Sequence, residues 1–211
     1  MADTRRISIT EALKELNNYD DRIKKALLRS NFIGAKKKSS DKVGVFKRET
    51  FESNAKKEYQ SVSDLIANRR KIKSAIVQSN ATTKVEIGGH TYTVAEAIEY
   101  KNSIEYNKLL LDAMKEQWQD ATYEADKQNK KVDAQIDKLL ETFLGKDSEK
   151  KVSETDLSTI SDPYREKNEY ELVDPLGLYE LIQKLEDEIN VFESEVDVRL
   201  SVSNSVTYIE V

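Results

Sequence analysis

Residues 79–97 read SNATTKVEIGGHTYTVAEA and contain, in succession, signals for a helix end, a β-hairpin and a second helix start. β-Branched side chains favour extended strands, and they are frequent just before Gly88-Gly89. Two glycines between short strands are a hairpin signal, because glycine adopts the positive φ angles that a two-residue turn needs. The sequence therefore predicts a two-stranded antiparallel hairpin over residues 82–92.

Short polar motifs mark helix boundaries on both sides of this hairpin. Thr93 and Glu96 have the spacing of a capping box, in which the hydroxyl covers one amide and the carboxylate covers the other. Ser79-Asn80 follows an apolar helical run, and asparagine tolerates the left-handed conformation that ends many helices. We expect one helix to stop near residue 79 and the next to begin near residue 94.

Few residues in this chain interrupt a helix. The 211 residues include only 6 Gly and 2 Pro, and both prolines lie after residue 160. Apolar residues make up 38% and charged residues 35%, a balance that suits long amphipathic helices. Apolar side chains recur every three or four residues along four segments, which predicts helices over residues 9–30, 51–79, 94–143 and 175–203.

The expected fold class is mainly α, with a single elongated helical domain over residues 1–211. Apolar residues from Ile182 to Val196 follow coiled-coil spacing, so the helices are expected to form a long antiparallel bundle or coiled-coil hairpins. An isolated hairpin is marginally stable in water. We therefore expect a small antiparallel β-sheet, formed by hairpin 82–92 and a C-terminal strand over residues 206–211.

Two segments between the helices differ sharply in charge. Residues 32–49 are predicted to be a basic loop, and residues 145–174 an acidic connector. Within the connector, Asp162-Pro163 and Asp174-Pro175 each place a capping residue before a proline at the first helical position. The apolar spacing of the third helix weakens over residues 120–131, where we expect a break, a turn-back or strong solvent exposure.

The distribution of charge and apolar surface suggests which partners to expect. Residues 141–211 carry 18 acidic and 7 basic side chains, and a field of this sign disfavours general nucleic-acid binding. Apolar stripes on long helices favour a homo-oligomer, since burying them against a second copy stabilises both. The chain has neither a bilayer-spanning apolar run nor the apolar core of a secretion signal, so we expect a cytoplasmic protein without a membrane partner.

Few residues are available for catalysis. There is no Cys, and the single histidine, His90, follows the Gly-Gly turn. Nucleophile–base pairs and imidazole or thiolate metal sites therefore lack the residues they need. The phosphate-loop and dinucleotide glycine motifs do not occur in the sequence. We expect no catalytic residue, no metal site and no cofactor, and we expect that the protein is not an enzyme.

Three groups of polar residues are candidates for ligand binding. The basic loop combines three ammonium groups with two hydroxyls, which suits phosphate, and the alternative is a solvated loop. The polar residues after the second helix can bind a base or ribose, or they can cap the helix. Arg69 and Arg199 each lie within an apolar stripe, where an arginine is either salt-bridged to an acidic neighbour or turned toward a cavity, and either would mark an interface. The candidates are Lys36, Lys37, Lys38, Ser39, Ser40, Arg69, Asn80, Thr82 and Thr83.

The segment SNATTKVEIGGHTYTVAEAI (79–98) and the ending SVSNSVTYIEV (201–211) resemble those of septicolysin-like proteins and their relatives in phages and prophages of Gram-positive bacteria. The resemblance covers most of the chain, and GAKKKSSDKV (34–43) is similar to a segment of the phage-borne relatives. It implies an all-helical protomer with a small sheet that assembles as a homo-oligomer, and it brings no catalytic motif.

A phage origin, with the host cytoplasm as the place of action, leads to an expectation about function. A catalytically bare oligomer with an anion-binding loop suits a sponge, which binds a small phosphorylated, adenine-nucleotide-derived defence signal without cleaving it. Residues 36–40 would bind the phosphate, whereas Asn80, Thr82 and Thr83 would recognise the sugar or the base. The alternative is a structural, virion-associated or assembly protein that acts through protein–protein contacts. A helical adaptor for a host protein is a third hypothesis.

Overall fold

A computed structural model describes residues 4–144 and 154–211 of the chain. These residues form five helices and three two-stranded antiparallel sheets, which confirms the mainly α fold class with small β-sheets. In chain order the elements are β1 (Arg6–Ser8), α1 (Ile9–Arg29), β2 (Lys42–Val43), β3 (Phe46–Lys47), α2 (Arg48–Thr82), β4 (Lys84–Ile87), β5 (His90–Thr93), α3 (Val94–Leu144), α4 (Glu154–Asn168), α5 (Leu178–Val206) and β6 (Tyr208–Glu210).

The chain divides into two compact units. Unit 1 consists of Met1–Asn102 and Val191–Val211, and unit 2 consists of Ser103–Asn190. Helices α3 and α5 each contribute residues to both units. The single domain expected from the sequence stays a prediction.

Unit 1 is built on an antiparallel pair of helices, α1 and α2. The amide of Asn31 donates to Glu58 at 2.8 Å near one end of the pair, and Arg69 donates to Asp20 further along it. The helices bury an aliphatic face together with the sheet of β1 and β6, because apolar positions in α1 recur at helical spacing. This core contains Ile7, Ile9, Ala12, Leu16, Ile72, Ile76 and Ile209.

The C-terminal strand does not join the central hairpin, and that part of the sequence prediction is wrong. Strand β6 pairs with β1, and Ile209 lies opposite Ile7. Both side chains are buried, so this register directs the two strands onto the α1–α2 core. Strand β1 was not predicted because it has only three residues, too few for an alternating pattern, and its last residue, Ser8, is the N-cap of α1.

The central hairpin and its capping box are confirmed. Strands β4 and β5 pair from Lys84–Thr93 to Ile87–His90, and both turn glycines have positive φ, at +57° and +76°. The amide of Glu96 donates to the Thr93 hydroxyl at 3.1 Å, and the amide of Thr93 donates to the Glu96 carboxylate at 2.7 Å. The backbone donor holds the pKa of Glu96 below its ordinary value, and the Thr93 hydroxyl adds to this effect.

Unit 2 contains the remainder of α3, together with α4 and the first part of α5. Helix α3 continues through residues 120–131 without a break or turn-back, and most side chains there are exposed. Solvent exposure was one of the three expected outcomes, and it is the one observed. Lys115 pairs with Glu186 at 2.7 Å, and Asp133 pairs with Arg165 at 2.6 Å, so the chain segments run antiparallel within the unit.

The acidic connector is more ordered than its sequence predicts. Helix α4 lies within residues 145–174, while residues 145–153 lie outside the described part of the chain. Pro163 is inside α4 instead of opening a helix. The Asp174 carboxylate does cap α5, since it accepts from the amide of Leu178 at 2.7 Å. The helix nevertheless starts after Pro175, because Gly177 has a φ of +65° and interrupts a helical path.

Candidate functional site

Helix α2 separates the predicted ligand-binding residues into three places. The five residues of the basic loop precede its N-terminus, Arg69 lies within it, and Asn80 and Thr82 lie in its last turn. From Phe51 to Asn80 the helix rises about 45 Å at 1.5 Å per residue. Within one chain, the loop and the last turn therefore do not form a single site.

The loop residues Lys36–Ser40, called the basic turn below, form a closed turn. The Ser40 amide donates to the Lys37 carbonyl at 3.0 Å. The Lys36 ammonium donates to the Ser40 carbonyl at 2.9 Å and to the Lys37 carbonyl at 3.4 Å. The Ser40 hydroxyl accepts from the Lys42 amide at 3.1 Å. Lys36 and Ser40 therefore hold the turn together.

The other side chains of the basic turn are free. Lys37, Lys38 and Ser39 are exposed, and their side chains make no hydrogen bond or ion pair within the described residues. Two ammonium groups and one hydroxyl on adjacent residues are suitable donors for a phosphate group. The basic turn thus offers donors that its own fold does not use.

The predicted basic loop is shorter than residues 32–49. A tight hairpin of β2 and β3 begins at Lys42, and α2 already starts at Arg48. The turn at Gly44 has a φ of +57°, which glycine adopts without a steric penalty. The Arg48 amide donates to the Asp41 carbonyl at 2.9 Å, and this bond attaches the hairpin to the start of α2. The short hairpin was missed because each of its strands has only two residues, too few for an alternating pattern.

The end of unit 1 that carries the basic turn is strongly basic. Residues 24–57 contain 11 Lys or Arg and 3 Asp or Glu. Arg48 pairs with Glu52 at 2.7 Å, so part of this acidic charge is already engaged. An excess of cations on one surface raises the local concentration of anions.

At the opposite end of α2, the candidates Thr82 and Thr83 bond to the backbone. The Thr82 hydroxyl donates to the Ser79 carbonyl at 3.2 Å, and the Thr83 amide donates to the same carbonyl at 2.8 Å. The Thr83 carbonyl accepts from the Val94 amide at 2.8 Å, which joins α2 to α3. The Ser79-Asn80 stop is wrong, since α2 continues to Thr82 and ends at an extended C-cap, Thr83. Asn80 does not have the positive φ of a left-handed cap.

Arg69 is engaged in an ion pair with α1. Its guanidinium donates to both oxygens of Asp20, at 2.5 Å and 3.2 Å. The hydrogen bond from Arg69 lowers the pKa of Asp20. The pairing with an acidic neighbour is therefore observed, and Arg69 also lines a groove along α2. Arg199, the other arginine within an apolar stripe, lies 3.4 Å from Glu195 on the same helix.

Two concave surfaces of unit 1 lie away from the basic turn. One is a cleft of about 460 Å³ where the chain ends meet α1 and α2. Its lining comes from four separate segments of the sequence, so it was not predicted. The other is a groove of about 540 Å³ along α2 that includes Arg69. The cleft is lined by Thr4, Arg5, Tyr19, Asn68, Lys71, Ile72 and Val211, and the groove by Ile66, Arg69, Arg70, Lys73, Ser74 and Val77.

His90 is exposed, and its ring contacts the edge of Tyr92. In residues 4–144 and 154–211, no group of three or more His, Asp or Glu side chains is arranged to hold a metal ion. Among the described helices, none combines the length and the apolar character needed to cross a membrane. Comparisons with known protein families, with curated proteins and with solved structures find no match to this chain.

Proposed function

We propose that this protein is a non-enzymatic homo-oligomer that binds and sequesters a small phosphorylated nucleotide. The observation that carries the proposal is the set of unused donors on the basic turn. The exposed donors are the two ammonium groups of Lys37 and Lys38 and the hydroxyl of Ser39. Lys36 closes the turn by donating to the carbonyls of Lys37 and Ser40. A charge-assisted hydrogen bond to phosphate is stronger than one between neutral groups.

Holding a nucleotide without cleaving it needs donors and no nucleophile–base pair. The basic turn supplies the donors, and the excess of 11 basic over 3 acidic residues in 24–57 attracts the anion. Reading of the sugar or base by Asn80, Thr82 and Thr83 requires a second copy of the chain, because α2 keeps these residues about 45 Å from the turn within one copy. The proposal also includes that the protein is encoded by a phage and acts in the host cytoplasm.

The proposal is tested by titrating the protein with ADP-ribose and with a cyclic dinucleotide in a calorimeter. The double variant Lys37→Ala, Lys38→Ala is expected to bind at least about tenfold more weakly, since each lost charge-assisted bond contributes about 1.5–3 kcal/mol. The matched control is Lys130→Ala, Lys138→Ala, which removes the same charge from exposed positions of α3. If the Lys37→Ala, Lys38→Ala variant bound both nucleotides with unchanged affinity, the basic turn would not be the binding site.

A second function, assembly through protein–protein contacts, is favoured by exposed apolar side chains. Leu28, Ile33 and Val45 are each more than 85% exposed, and Val173 in unit 2 is 87% exposed. Exposed apolar patches mark interaction sites. Co-purification with assembled phage particles supports this function, whereas abundance restricted to the cytoplasm early in infection supports the first.

A further inference from the structure

Three aliphatic side chains at the basic end of unit 1 have no packing partner. Leu28 in the last turn of α1 is 87% exposed, Ile33 in the following loop 91%, and Val45 in the β2–β3 turn 86%. We call these three residues and the basic turn the tip surface. Apolar surface exposed to water is costly, and exposed apolar patches mark interaction sites. The tip surface therefore combines an apolar component with a positive charge.

Unit 2 carries a segment with the opposite charge and a similar apolar component. Residues 169–176, called the acidic segment, contain Glu169, Glu171 and Asp174 and no Lys or Arg. Glu169 lies 3.8 Å from Arg165 of α4, so part of this acidic charge is already engaged. Val173 is 87% exposed and Leu176 is 68% exposed. Each of the two surfaces therefore combines charged side chains with exposed aliphatic ones.

The acidic segment is held in place although it is not helical. The Asn129 side chain donates to the Tyr170 carbonyl at 2.9 Å and accepts from the Tyr170 amide at 2.8 Å. The Asp174 carboxylate accepts from the amides of Leu176 and Leu178. A backbone fixed at both ends presents its exposed side chains with little further loss of conformational entropy on binding.

We propose that the tip surface of one copy docks on the acidic segment of a second copy. Charge complementarity selects this occupant, because residues 24–57 carry 11 basic and 3 acidic side chains whereas residues 168–183 carry 4 acidic and none that are basic. Neither surface complements itself, since like charges repel. The contact is therefore head-to-tail, and repetition closes a ring when the rotation allows it. The inference rests on the homo-oligomer of the proposed function, but not on its ligand.

The absence of Cys from the chain allows a specific cross-linking test. The variant Ile33→Cys, Val173→Cys is expected to form covalent multimers larger than a dimer under mild oxidation, since each copy links to the next. Each single cysteine variant is expected to stay uncross-linked. The matched control Lys73→Cys, Val173→Cys, with its first cysteine in the middle of α2, is expected to give no multimers.

A second pair of changes tests the apolar component while keeping every lysine of the basic turn. Ile33→Lys, Val45→Lys is expected to lower the assembly mass measured by native mass spectrometry, with an unchanged circular dichroism spectrum. A wild-type oligomer whose mass survives both changes, or a disulfide dimer of Ile33→Cys alone, would overturn the head-to-tail contact and leave nucleotide binding intact. A wild-type protein that is monomeric in native mass spectrometry would overturn this contact together with the proposed homo-oligomer.

Discussion

The two ends of helix α2 carry similar polar residues but use them differently. At the C-terminal end, the Thr82 hydroxyl, the Thr83 amide and the Thr93–Glu96 box all bond to the backbone. At the N-terminal end, only Lys36 and Ser40 of the basic turn do so. Thr82 and Thr83 are thus engaged in completing the fold, whereas the side chains of Lys37, Lys38 and Ser39 are exposed and are not used to close the turn.

Burial differs between the two ends in the same way. Ile87 of the hairpin is 1% exposed, whereas Ile33 beside the basic turn is 91% exposed. Substitutions at the hairpin end should therefore change the free energy of unfolding, and substitutions at the basic turn should change binding.

The largest effect is expected for Ile87→Ala. Removing a buried isoleucine side chain down to alanine costs about 2–5 kcal/mol, since apolar contacts are lost and a cavity remains. Urea unfolding followed by circular dichroism measures the change. Ser39→Ala, on the exposed basic turn, is the control and should stay within about 0.5 kcal/mol. Equal losses in the two variants would contradict the division between the ends.

The next effect is expected for the capping box. Thr93→Ala should lower the free energy of unfolding by about 1 kcal/mol, because the Glu96 amide loses its acceptor. Thr82→Ala is the matched control, since its exposed hydroxyl bonds only to carbonyls of its own helix. That change should lie within about 0.5 kcal/mol. A larger loss at Thr82 than at Thr93 would indicate that the wrong threonine has been identified as the cap.

A smaller effect should appear in the pH dependence of stability. The pKa of Glu96 is lowered by hydrogen bonds from Thr93, so the unfolded chain binds the proton more tightly than the folded one does. The stabilisation is present above the ordinary glutamate pKa and is lost as the pH falls through the lowered value.

Glu96→Gln keeps an acceptor at this position but cannot titrate, and it should therefore reduce the fall in melting temperature between neutral and acidic pH. The fall should not vanish, because the pKa of Glu11 is also lowered, first by the Ser8 backbone amide. Thermal melts across this pH range measure the slope. A slope as steep as that of the wild type would exclude Glu96 as a contributor.

The smallest effect on stability is expected for Lys37→Ala, Lys38→Ala. Both side chains are exposed, and the side-chain hydrogen bonds of the basic turn are those of Lys36 and Ser40, so the free energy of unfolding should change by no more than about 0.5 kcal/mol. The same urea experiment measures this change. A cost above 1 kcal/mol would show that the two lysines contribute to the fold, and it would weaken the argument that they are free for a ligand.

Local chemistry in the sequence was sufficient to predict the hairpin and its cap. Gly88-Gly89 and the Thr93–Glu96 spacing each act through hydrogen bonds and φ angles within a few residues. The pairing of Ile7 with Ile209 was not predictable in this way, because it joins residues from the two ends of the sequence. Helix α4 was missed because its composition is polar and its apolar spacing is weak.

The distribution of the candidate ligand residues could have been predicted more accurately. A helix predicted over residues 51–79 already separates Lys36–Ser40 from Asn80 by about 40 Å. Only contributions from different copies would bring these groups together. In contrast, the roles of Lys36 in closing the turn and of Asp20 in pairing with Arg69 depend on side-chain geometry, which sequence periodicity does not contain.

Native mass spectrometry can show whether this protein holds a nucleotide. Protein purified from cells that carry nucleotide-based defence is weighed intact and again after mild denaturation. The account predicts a homo-oligomer that releases a small phosphorylated nucleotide of unchanged mass, and the Lys37→Ala, Lys38→Ala variant from the same cells should carry less of it. An oligomer that stays empty after cyclic dinucleotides and ADP-ribose are added would contradict sequestration.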